Sequence, residues 1–111
     1  MTDAKFDYTA VLKSDMSGAV TSIIAHHTKA GTPLRAVIWS GVHHAWVSAP
    51  GTAAGLLYDD QKFDRLRNVD RATAERAARE ALHTELPAEE VLESISDEGE
   101  RMGWDYGPPR Q

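Results

Sequence analysis

Four of the five histidines in this chain stand as adjacent pairs, His26-His27 and His43-His44. Arg35, Trp39 and Trp46 lie in the same short span. Imidazole is a good ligand for zinc and similar metals. Adjacent residues, however, do not aim at one point: on a strand they face opposite sides, and on a helix they diverge by about 100°. Each pair therefore offers one ligand to a shared site. No HExxH spacing and no i,i+4 histidine pair is present. A metal site would have to draw on His27, His43 or His44 with Asp59 or Asp60, and this is the weakest of three functional readings. Histidines at a helix C-terminus and a hairpin tip are the plainer interpretation.

Covalent chemistry has little to work with. There is no cysteine, no GxSxG elbow and no glycine-rich phosphate loop. Ser40, Ser48, His44 and Asp59 assemble into a triad only on paper, as residues of most small domains do. Asp59-Asp60 reads as a solvated turn rather than an acid/base pair. No cofactor signature is present.

Two features point instead to recognition. The first is an aromatic face made by Arg35, Trp39, His44 and Trp46. Left uncovered, it would be an apolar patch with polar anchors, and tryptophan and arginine dominate the binding energy of such patches. Covered by the N-terminal region or by Trp104-Asp105-Tyr106, it becomes a second core. The second feature is the acidic run Glu89, Glu90, Glu93, Asp97, Glu98 and Glu100, which no basic residue interrupts. Such a strip can steer association with a basic partner, although a merely solvated helix face looks the same.

The bulk numbers bound these readings. One hundred and eleven residues suffice for one domain with a single core. A net charge of −5 disfavours nucleic acid, which selects basic stripes. Arg65, Arg67, Arg71, Arg76 and Arg79 do cluster, but Asp64, Asp70, Glu75 and Glu80 are interleaved with them. No apolar run approaches the roughly 20 residues that span a bilayer, and the N-terminus lacks the pattern of a signal peptide. The absence of cysteine fits a reducing compartment, so the expectation is a soluble cytoplasmic protein. Abundant alanine, and arginine in excess of lysine, hint at a GC-rich genome; a bacterial or phage origin is expected only by analogy with the small acidic proteins named below.

Which elements would position these side chains? Residues 6–13 alternate as a half-buried strand. Residues 18–30 show apolar residues at helical spacing, begun by Asp15 or Ser17 and stopped by Gly31 and Pro33, so a helix is expected. The β-branched Val20, Thr21, Ile23 and Ile24 make a strand its competitor. Residues 34–49 read as a hairpin turning on Gly41-Val42 in a type II′ turn. That register pairs Ser40 with His43, Trp39 with His44, Ile38 with Ala45 and Val37 with Trp46. It sorts Leu34, Ala36, Ile38, Ala45, Val47 and Ala49 to one face, and Arg35, Val37, Trp39, His44, Trp46 and Ser48 to the other.

Residues 50–55 read as a link, 55–58 as a short strand, and 59–70 as loop or ragged helical turn. Asp70 opens a helix to about Leu82, with Ala74, Ala77, Ala78, Ala81 and Leu82 as its apolar stripe and Glu75–Arg79 as an i,i+4 pair. A last helix begins near Pro87, buries Val91, Leu92, Ile95 and Met102, is weakened by Gly99 and ends at Gly103. Residues 104–111 form a loosely ordered tail.

The expected fold is a single α+β domain over 1–111: a small, mostly antiparallel sheet of three to four strands with helices on one face, in the order β-α-β-β-(β)-α-α. The leading functional reading is a non-catalytic interaction module, comparable to immunity proteins, antitoxins or phage inhibitors. It would engage another protein, such as a basic one, through Glu89, Glu90, Glu93 and Asp97 on the acidic helix, through Arg35, Trp39, His44 and Trp46 on the hairpin, or through both. Self-association stays open. The alternative is a small ligand-binding or hydrolytic enzyme with its pocket over Arg35, Trp39, His44 and Trp46.

Overall fold

A computed structural model of the chain describes residues 6–13, 19–27, 34–41, 44–57 and 65–105. The order is β1 (Asp7–Leu12), β2 (Val20–His27), β3 (Arg35–Ser40), β4 (Ala45–Ser48), α1 (Pro50–Leu57), β5 (Leu66–Val69), α2 (Arg71–Ala81) and α3 (Glu89–Met102). The first four strands form a meander, and β5 returns to add to the free side of β1, giving the sheet order β4-β3-β2-β1-β5. Every pairing is antiparallel. The expected α+β class with an antiparallel sheet is observed, with five strands rather than three to four.

The segment expected as a helix at 18–30 is the strand β2. It runs through the middle of the sheet between β1 and β3. Both its faces are covered, so Ile23, Ile24 and Ala25 are all fully buried and alternation is lost. With that pattern gone, the β-branched residues decide the backbone. The cap and stop assigned to Asp15, Ser17, Gly31 and Pro33 lie outside the described residues.

Two apolar layers follow. On one face Phe6, Tyr8, Ile23, Ala25 and Val37 meet Ala74 and Ala78 of α2 and Leu92 of α3. The alanines bring α2 close to the strands, as its stripe foretells. On the other face Val11, Ile24, Ala36, Ile38, Val47 and Ala49 pack with Ala53, Leu56 and Leu57 of α1. The stretch expected as a link and short strand is thus a helix that puts a third layer on the opposite side of the sheet. Pro50 suits a first helical position. The Asp105 carboxylate, 53 residues away in sequence, accepts from the Thr52 N–H (3.2 Å) and from the Gly51 N–H (3.1 Å). Tyr58, the last residue of that expected strand, lies outside the described residues.

The remaining differences are local. Leu66–Val69, expected within a polar loop, is the edge strand β5. Asp70 caps α2 through the Thr73 N–H at 2.8 Å. α3 starts at Glu89 rather than near Pro87 and ends on Gly103, whose φ of 69° is the left-handed geometry that glycine accepts. Of the residues expected on its buried side, Leu92 is buried and Ile95 half-buried, but Val91 and Met102 are exposed. No helix among the described residues is long and apolar enough to cross a membrane.

Candidate functional site

The hairpin decides where the tryptophans go. Trp39 pairs with Trp46, Ile38 with Val47, Val37 with Ser48 and Ser40 with Ala45. The turn is therefore wider than a two-residue Gly41-Val42 turn. It leaves His44 outside the ladder, with φ at 51°, while Val42 and His43 lie outside the described residues. Relative to the expected register, β4 has slid by two residues. A slide of two keeps every side chain on its face. Both indoles accordingly share one side, directly opposite one another, with ring centroids 5.6 Å apart. The Trp39 ring also meets exposed His44 edge-on at 6.5 Å.

This side of the sheet is the one that α2 and α3 cover. Trp46 is half-buried against the core, and its buried indole N–H has no hydrogen-bond acceptor among the described residues. α3 comes this close because of Gly99: a Cβ there would stand 2.3 Å from the Cβ and Oγ of Ser48 on β4. Beside that contact the two elements diverge. They leave an open cleft of about 220 Å³ lined by Trp46, Val47, Ser48, Val91, Ser94, Ile95, Glu98 and Trp104. Asp105 positions the Trp104 wall by capping α1, accepting also from the Thr52 hydroxyl at 3.3 Å. Trp104 thus does approach the aromatic face, though as one wall of a cleft rather than as its cover.

The expected site residues separate into different jobs. Arg35 does not stand free beside the indoles. Its guanidinium donates to Asp97 and pairs with Glu100 at 3.5 Å, tying β3 to α3. That removes it as a ready anion anchor. This cleft contains Trp46 but not Arg35, Trp39 or His44.

Glu89 is turned inward. Its Oε2 accepts from the Phe6 N–H at 2.9 Å and from the Tyr8 hydroxyl at 3.0 Å. Arg71 donates to that same hydroxyl at 2.7 Å and to the Pro87 carbonyl at 2.8 Å, and it lies over the Tyr8 ring. These bonds join β1, α2 and α3. Burial pushes the Tyr8 hydroxyl up to about 12, against the opposing pull of Arg71.

Glu90, Asp97, Glu98 and Glu100 are exposed, and Glu93 is half-buried. The acidic run is thus divided: Glu89 holds the fold together, Asp97 and Glu100 hold Arg35, and Glu90 and Glu98 face solvent.

The histidine pairs do not converge. His26 shares a hydrogen bond with the buried Thr9 Oγ1 at 3.0 Å, and that hydroxyl donates to Asn68 Oδ1 at 3.1 Å. With the hydroxyl proton so used, His26 Nε2 supplies the hydrogen to Thr9. Burial lowers the His26 pKa. His27 faces the other way and packs against Phe6. Among the described residues no three His, Asp or Glu side chains are grouped to hold a metal ion, while His43, Asp59 and Asp60 lie outside them.

The sequence places Trp104 as a candidate cover of the aromatic face, but it does not single out Ser94 or Glu98 as its neighbours in a cleft. The signal is present only in part. Val91, Ile95 and Glu98 follow helical spacing, but nothing local says that β4 stands opposite them. No family model, curated protein or solved structure matches the chain.

Proposed function

We propose that the chain is a non-catalytic protein-binding module whose contact surface is the outer side of α3. One observation carries this reading. Among the described residues the exposed large apolar side chains, Val91 and Met102, both lie on α3, beside the exposed Glu90, Asp97, Glu98 and Glu100. Apolar side chains set within charged surroundings are the usual make-up of a recognition patch. The charge favours a basic partner by steering its approach.

The pairing of Arg35 with Asp97 and Glu100, which takes its charge away from Trp39, His44 and Trp46, supports binding over catalysis. Lack of cysteine supports a reducing, cytoplasmic setting for a soluble protein. Immunity proteins, antitoxins and phage inhibitors share this small, acidic make-up, an analogy of class that selects no member.

The test compares capture of host proteins by the wild-type chain, by Val91→Lys/Met102→Lys, and by Arg76→Glu/Arg79→Glu on the exposed side of α2. A partner held by wild type and by the α2 variant, lost by the α3 variant, and weakened steeply by salt fits the proposal. Equal capture by all three would refute it.

A further inference from the structure

We infer that the cleft between β4 and α3 is an anchor pocket for one bulky apolar side chain, donated by a partner segment that carries a lysine or arginine beside it. This rests on the reading of α3 as the contact surface and names what that surface takes.

Size comes first. A cleft of about 220 Å³ exceeds the roughly 150 Å³ apolar cavity that accepts a benzene. It falls short of the roughly 300 Å³ where pockets for drug-sized ligands begin. It therefore suits one large side chain. The walls match: Trp46, Val47, Val91, Ile95 and Trp104 are apolar. Rigid aromatic walls cost little conformational entropy on binding, which is why such pockets concentrate interface energy.

Charge sets the second half of the recognition. Glu98 lines the cleft and, among the described residues, no basic side chain does. Glu98 is exposed and takes no part in the ion pairs that occupy Asp97 and Glu100. A cation next to the inserted side chain would meet Glu98, and an acidic neighbour would be repelled. A second copy of this chain fits less well, since its own α3 would bring like charge.

The probes are three acetylated, amidated tetrapeptides, Ala-Lys-Phe-Ala, Ala-Glu-Phe-Ala and Ala-Lys-Ala-Ala, titrated into the whole chain while the indole N–H signals of its three tryptophans are followed by NMR. The Lys-Phe peptide should move the Trp46 and Trp104 signals. Replacing its Phe by Ala should weaken binding more than tenfold, the scale of burying one aromatic side chain. Replacing Lys by Glu should weaken it about fivefold at low salt.

Ser94→Phe, at an exposed lining position, should abolish the response, and Glu98→Lys should invert the charge preference. Unmoved indole signals up to millimolar peptide overturn the inference. So do equal binding of the three peptides, an unchanged response in Ser94→Phe, or concentration-dependent self-association that excludes the peptide. Failure here is separable from failure of the proposed function: a host partner still captured by Ser94→Phe but lost by Val91→Lys/Met102→Lys leaves α3 as the surface and removes only the pocket.

Discussion

Gly99→Ala should destabilise this protein, against the ordinary behaviour of a glycine within a helix. Replacing glycine by alanine inside an exposed helix gains about 1 kcal/mol, because glycine gives up more backbone freedom on folding. At position 99 the new Cβ would stand 2.3 Å from the Cβ and Oγ of Ser48, about 1 Å short of ordinary contact. The Ser48 hydroxyl can rotate aside, but its Cβ is fixed to the β4 backbone, so α3 must lift off the strand. Overpacking of this kind costs about 1–3 kcal/mol. With a backbone-anchored atom on the other side the upper part of that range applies, and after the helical gain a net loss of about 1–2 kcal/mol remains.

Urea denaturation followed by circular dichroism measures this loss directly. A thermal scan should show Tm falling by about 5–10 °C. The decisive arm is Ser48→Gly, which removes the clashing atom. Alone it should cost somewhat under 1 kcal/mol as a glycine within a strand. Combined with Gly99→Ala it should recover most of the loss, a coupling of about 1 kcal/mol or more in the double-mutant cycle. A Gly99→Ala variant more stable than wild type, or one that Ser48→Gly does not rescue, would refute the claim that this pair sets the seating of α3.

Three further outcomes follow from the same geometry. Glu89→Ala strips the acceptor from the Phe6 N–H and the Tyr8 hydroxyl, and should cost about 1–3 kcal/mol in urea melts although a carboxylate in a helix first turn looks dispensable; a loss within error would show the network to be idle. In a Tyr8→Phe difference titration, the tyrosinate absorbance assigned to Tyr8 should emerge near pH 12 rather than near the usual 10. That group favours its neutral form when folded, so its stabilisation is full below pH 10 and fades above it. His26 works from the other side of neutrality. Burial lowers its pKa below the 6.5 of the unfolded chain, so as pH falls through 6.5 the unfolded state takes up the proton first and stability declines toward the folded value; His26→Gln should flatten that part of the urea-midpoint profile, and an unchanged slope would sink the assignment.

Much of the fold is legible in local pattern. The strand within residues 6–13, the alanine stripe after Asp70 and the glycine stop at 103 each specify an element because the physics that forms them lies within a few residues, although β1 is buried on both faces rather than the half-buried strand its alternation suggests. The shared face of Trp39 and Trp46 also belongs to this class. Parity along two strands survives a hairpin two residues longer than a tight turn, so the grouping outlasts the misplaced register.

What the chain alone could not settle depends on partners far away in sequence. β2 became a strand because β1 and β3 enclose it on both sides, which erases the two-residue period that announces strands at a surface. α1 forms despite two glycines because Ala53 is buried against the sheet and Asp105 caps it from the far end of the chain. The acidic run looked uniform, yet tertiary contacts turned Glu89 inward, bound Asp97 and Glu100 to Arg35, and left Glu98 facing the cleft. Residue type fixed the charges of that helix. Only packing decided which of them hold the molecule together and which remain to meet a partner, because a helix shows which residues share a side but not what the rest of the chain will place against it.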